Sequence, residues 1–146
     1  MTRKKHLLTY ITMITVVLWI SVGCEDDPNP IYVPPSLTLD IFFQGGVPQG
    51  DIDENLALAA QLTDVNGNQQ PGYRLRVTVD PDSIGNIAPT GLIDIDPQTE
   101  TGLTGNVVFI GRKYGNAIIQ AEAMDGSDIV STDTLNVVVR PPGNEE

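Results

Sequence analysis

Tyr73-Arg74-Leu75-Arg76-Val77-Thr78-Val79-Asp80 alternates apolar and polar side chains without a break. In an extended chain successive side chains point to opposite faces. Tyr73, Leu75, Val77 and Val79 therefore share one face, and Arg74, Arg76, Thr78 and Asp80 the other. A helix, repeating about every 3.6 residues, would scatter both sets around its circumference. The stretch reads as a strand with one dry face and one wet face.

The same period recurs on both sides. Upstream, Leu37, Leu39, Ile41 and Phe43 share one face of a first run, and Leu56, Leu58, Ala60 and Leu62 one face of a second. Downstream, a short strand is expected around Ile93 to Asp96. Val107 and Phe109 follow, with Val108 and Ile110 on the other parity. Ala117, Ile119, Ala121 and Ala123 make another face, and Leu135, Val137 and Val139 the last. Turn chemistry separates these runs at Asp64-Val65-Asn66-Gly67-Asn68, Pro81-Asp82, Tyr114-Gly115-Asn116 and Asp125-Gly126-Ser127. Gly, Asn and Asp supply the positive φ angles that tight turns require. No segment offers a capped helical period. About seven short strands over residues 36–140 predict an all-β protein, a β-sandwich.

Three stretches also carry a family resemblance. Leu62-Thr63-Asp64-Val65-Asn66-Gly67-Asn68-Gln69-Gln70-Pro71-Gly72 resembles the strand–turn–strand signature of bacterial Ig-like domains of the invasin/intimin type. Thr101-Gly102-Leu103-Thr104-Gly105-Asn106-Val107-Val108-Phe109 resembles that family's T-D-x-x-G-x-A-x-V, and Tyr114 to Ala121 its A-G-x-A-x-V-x-A. Gly102 stands where the family has Asp, and Val107 where it has Ala; the first is expected to loosen a turn, the second to alter a core volume. The resemblance covers about residues 37–139. It implies an immunoglobulin-like sandwich serving as a stalk, spacer or adhesive module on bacterial surfaces, without catalysis.

The start of the chain is read as an address. Arg3, Lys4 and Lys5 precede the apolar run Leu7 to Ile20, which ends in Ser21-Val22-Gly23 before Cys24. That order is the order of a secretory signal. As a helix the run spans about 21 Å, short of a hydrocarbon core of about 30 Å, which favours a cleaved signal over a membrane span. Ser21-Val22-Gly23-Cys24 resembles the lipobox of bacterial lipoproteins, which implies that the Cys24 sulfur is acylated and becomes the mature N-terminus. Gly23 fits the small residue required before the Cys, whereas Ser21 departs from the usual Leu. A lone cysteine excludes an internal disulfide framework. Glu25-Asp26-Asp27 behind it resembles the surface-export signal of Bacteroidota-type lipoproteins and reads equally as a solvated start to a linker. Four prolines in residues 25–35 favour an extended tether reaching about 34 Å. The expected organisation is a signal at 1–23, lipidated Cys24 and linker at 24–35, a sandwich at 36–140 and a polar tail at 141–146.

Composition narrows the chemistry. The chain has 146 residues, 8 basic against 19 acidic, for a formal charge of −11. Phosphate contacts need Lys and Arg, so nucleic acid is not an expected partner. Removing the signal takes His6, the only histidine, and leaves five of the basic residues. Ser-His-Asp, Cys-His and His-based zinc sites are then unavailable within one chain. A Schiff-base or Ser-Lys mechanism would have to rest on Lys113, the one lysine left, and a carboxylate-pair hydrolase is formally open, in a chain with little room for a cleft beside its core.

Acidic loops and aromatics complete the inventory. Asp64, Asn66 and Asn68 match the start of a calcium loop, but Gln69 and Leu75 occupy the positions of its required Gly and Glu. Asp94 with Asp96 and Asp125 with Asp128 are further carboxylate pairs, read as a solvated strand face and turn residues rather than a metal site. Phe43, Tyr73 and Phe109 fall on core parity. Phe42 and Tyr114 are expected to be exposed, too few rings for a glycan platform. Arg112-Lys113 is the only adjacent basic pair left after processing, and reads as solvated turn residues. The expectation is a non-enzymatic outer-membrane lipoprotein, without cofactor, held to the membrane through Cys24. Its single domain would meet a protein or matrix partner through loops or an exposed sheet edge. The alternative is a structural spacer or accessory subunit of an envelope complex.

Overall fold

The computed structural model describes residues 36–141. The expected signal, Cys24, the tether and residues 142–146 lie outside the described residues. Among the described residues there are nine strands and no helix: β1 (Thr38–Phe43), β2 (Gln49–Asp51), β3 (Asn55–Thr63), β4 (Arg74–Asp80), β5 (Gly85–Ala88), β6 (Leu92–Asp94), β7 (Val108–Gly111), β8 (Gly115–Asp125) and β9 (Asp128–Arg140). They form a four-stranded sheet ordered β1-β3-β7-β5 and a five-stranded sheet ordered β2-β9-β8-β4-β6. All pairs are antiparallel except β2 with β9. β1-β3-β7-β5 follows the A-B-E-D order, and β4-β8-β9 the C-F-G order, of a constant-type immunoglobulin sandwich. β2 and β6 are short additions at the two edges of the larger sheet.

Parity places the core as the alternation predicts. Leu39, Ile41, Phe43, Leu58, Ala60, Leu62, Leu75, Val107, Phe109, Ile119, Val137 and Val139 are all buried. Each large apolar side chain taken from water contributes about 1.5–3 kcal/mol, so the two inner faces hold the sheets together. The buried set contains no polar or charged side chain.

Several local expectations change. β2 and β5 were not foreseen, because Gln49-Gly50-Asp51 and Gly85-Asn86-Ile87-Ala88 are too short and too polar to show a period. β9 starts at Asp128, well before Leu135; its first half is largely polar, and its ladder with β8 makes it a strand. Gly115 and Asn116 begin β8 instead of forming a turn, and the chain reverses at 112–114. Val77 and Val79 are half-buried, because β6 covers β4 only along Arg74–Arg76.

The residues at 96–107 add a layer that strand periodicity does not describe. Leu103 and Val107 fill the core from outside any strand. Ala60 N–H donates to the Thr101 carbonyl, and Asp96 N–H to the Gly102 carbonyl, both at 2.9 Å. Gly102 has φ +69°, and a Cβ there would collide with the Ala60 carbonyl oxygen. Glycine at this position therefore permits a close approach instead of loosening a turn.

Candidate functional site

The calcium-like stretch folds into a turn organised by Asp64. One carboxylate oxygen accepts the backbone N–H of Asn66 at 2.8 Å and of Asn68 at 2.9 Å. The other accepts the side-chain amides of Asn68 at 3.1 Å and Gln70 at 3.2 Å. Gly67, at φ +80°, closes the turn by donating to the Asp64 carbonyl. The Asn68 backbone N–H, then its side-chain amide, hold the Asp64 carboxyl below its ordinary 3.8. Its lone pairs thus face N–H donors, which order the loop (the Asx-turn solution).

The other carboxylate pairs stay apart in role. Asp94 is exposed on β6, whereas the Asp96 carboxylate accepts the Gln98 N–H at 3.0 Å and caps the following turn. Asp125 and Asp128 face each other in register across the β8–β9 turn, both exposed. Arg112 donates from Nε to Asn86 Oδ1 at 2.7 Å, and the backbone N–H groups of Arg112 and Lys113 both reach the Ile84 carbonyl. Tyr114 is 61% exposed, while Phe42 is half-buried.

The two outer sheet faces differ more than any of these loops. On the five-stranded sheet, Arg76, Thr78, Gln120, Thr134 and Asn136 point outward, with Arg76 paired to Glu122 across β4 and β8. Arg140 pairs with Asp51 at 3.2 Å between β9 and β2. Leu92, Ile118 and Val138 are its exposed apolar exceptions, the last two lining a shallow groove of about 550 Å³.

On the four-stranded sheet the outward positions run in rows across the strands. Phe42 stands opposite Ala59, and Ala57 opposite Val108, which in turn faces Ala88. Ile110 occupies the next row, between Asn55 and Asn86. Asp40 and Gln61 make the polar row on the other side. Five of the six apolar residues in this patch are half-buried by their neighbours, and Ala59 wholly so. An apolar surface rimmed by polar residues is the form of a protein-contact site.

Sequence parity had separated Val108 and Ile110 from the core set and put Phe42 outside. It had passed over Ala57, Ala59 and Ala88. The available signal was Leu56-Ala57-Leu58-Ala59-Ala60, apolar on both parities, against the clean alternation of β4. No protein-family model matches this chain, and no curated protein matches it.

Proposed function

We propose that this chain is a non-enzymatic cell-envelope lipoprotein, acylated at Cys24, whose single sandwich contacts another protein through the outer face of its four-stranded sheet. The supporting observation is the patch of Phe42, Ala57, Val108, Ile110 and Ala88 between polar rows. Covering such a surface gains about 25 cal/mol per Å² of apolar area removed from water. The sequence supports the anchor: a basic head, an apolar run and Gly23 lead to Cys24. Two or more acyl chains, at about 0.8 kcal/mol per buried methylene, make a durable mooring.

Photocrosslinking in cells producing the full chain tests the contact. A photoreactive side chain at position 42 or 110 is expected to yield a protein adduct, and one at position 120 none. Absence of adducts at 42 and 110, or equal adducts at 120, overturns the contact face. Palmitate labelling tests the mooring separately: label is expected in the natural chain, and label persisting in Cys24→Ala refutes acylation at that sulfur.

A further inference from the structure

Three edges of this sandwich are closed by the chain itself. At β1, Leu39 N–H donates to Ser131 Oγ at 3.0 Å and Ile41 N–H to Asp133 Oδ2 at 2.9 Å. At β2, the Asp51 N–H is taken by Glu54 Oε2 at 2.7 Å. At β6, Thr104 donates from N and Oγ1 to the Asp94 carbonyl, and Leu103 bridges Ile95. Exposed strand edges are templates for a further strand, and closing them prevents it.

Two stretches of edge are left open. Ile95 N–H donates to the Tyr73 carbonyl, so the backbone groups of Tyr73 point toward β6. Strand backbone groups alternate sides, so those of Leu75, Val77 and Val79 point the same way. β6 answers Leu75 through Ile93, but its ladder ends at Leu92 with Arg76. Val77 and Val79 have no strand partner on that side among the described residues. On β5, the Ile84 carbonyl accepts from Arg112, so Asn86 and Ala88 face β7, and Gly85 and Ile87 face away from it. These two open edges line one cleft of about 540 Å³, with Asp82 and Arg112 at its rim.

We propose that this cleft receives an extended peptide segment of another protein, antiparallel to β4, which prolongs the five-stranded sheet in line with β6. The backbone groups of Val77 and Val79 pair with the peptide, and the half-buried valines receive alternate apolar side chains. The amino-terminal end of such a peptide lies toward the turn at 81–84, where Arg112 stands. Arg112 lines the cleft there and has no ion-pair partner among the described residues. The peptide therefore carries one carboxylate at that end, opposite Arg112. This deepens the protein-contact reading by adding an edge site on the sheet opposite to the apolar face.

The test uses the detergent-solubilised full chain and a peptide of alternating valine and threonine that begins with one glutamate. Saturable binding is expected, with slowed amide exchange at Val77 and Val79 and no change at Leu39 or Ile41. Val79→Pro removes an edge N–H and no ladder bond to β8, and weakens binding about tenfold. Arg112→Glu, at an exposed turn, weakens it about fivefold and keeps the fold whatever the proline does. Phe42→Ser, on the apolar face, leaves peptide binding unchanged, so the two sites fail separately. No saturable binding, protection at the β1 or β2 edge instead, or unaltered affinity in Arg112→Glu overturns the proposal.

Discussion

The outer faces of the two sheets share one strand geometry and one core, yet they hold different chemistry. The five-stranded face sets Arg76 against Glu122 and Arg140 against Asp51, with amides and hydroxyls between them. The four-stranded face sets Phe42 against Ala59 and Ala57 against Val108. The apolar side chains of the first, Leu92, Ile118 and Val138, are the more exposed but stand among polar neighbours. The second gathers half-buried apolar side chains side by side, and a partner that covers them removes their remaining area from water at a gain. A sandwich stands on its inner faces, so its outer faces are free to diverge, and their divergence is where function is read.

Removing the shared core is the strongest way to break the comparison. Phe109 is fully buried on β7, between the sheets. Phe109→Ala should cost about 3–5 kcal/mol in denaturant unfolding, against about 1 kcal/mol or less for Ile118→Ala on the exposed polar face. Equal costs would mean that the two sheets do not share one core.

The next effect concerns the seam between the sheets. Asp133 of β9 accepts the Ile41 N–H of β1. Asp133→Ala leaves that donor unanswered, at about 1–3 kcal/mol, with faster amide exchange at Ile41. Unchanged exchange there would remove Asp133 as the closure of this edge.

A finer comparison sets Phe42→Ser against Thr134→Ser. Both are outward, on opposite sheets. The first should abolish crosslinking from position 110 while costing about 1–2 kcal/mol of stability. The second should change neither beyond about 0.5 kcal/mol. Loss of crosslinking in both would put the contact on no particular face.

The smallest effect is the pH dependence of the Asp64 turn. Its folded carboxyl titrates below the ordinary 3.8, so the turn's contribution is full above the unfolded value and lost as pH falls through the folded one. The Tm difference between the natural chain and Asp64→Ala should stay constant between about pH 5 and pH 7 and shrink below 3.8. A difference that persists unchanged into stronger acid would show that the carboxylate charge does not hold the turn.

Much of the architecture was legible one residue at a time. Side-chain direction in a strand is a local property with a period of two, so the sequence of β4 alone separates Leu75 from Arg74 and Arg76. Turn chemistry is also local, which is why Asp64 to Asn68 and Gly126-Ser127 reverse the chain where expected. Polar or very short strands carry no such signal: β2, β5 and the first half of β9 exist because neighbouring ladders recruit them. The candidate contact face was half legible, since Val108, Ile110 and Phe42 declared their parity while three alanines did not.

By itself the sequence determined the all-strand pattern, the two faces of the strands that alternate clearly, and the turns at 64–68, 81–82 and 125–127. Tertiary structure alone decided which apolar parity became core and which became surface, because alternation divides a strand into two faces without saying what will cover either. It also decided that Ser131, Asp133, Glu54 and Thr104 close three edges while β4 at Val77 and Val79 and β5 at Gly85 and Ile87 stay open. Those bonds join residues far apart in the chain or at the ends of short strands, and only the packed fold brings their donors and acceptors within reach.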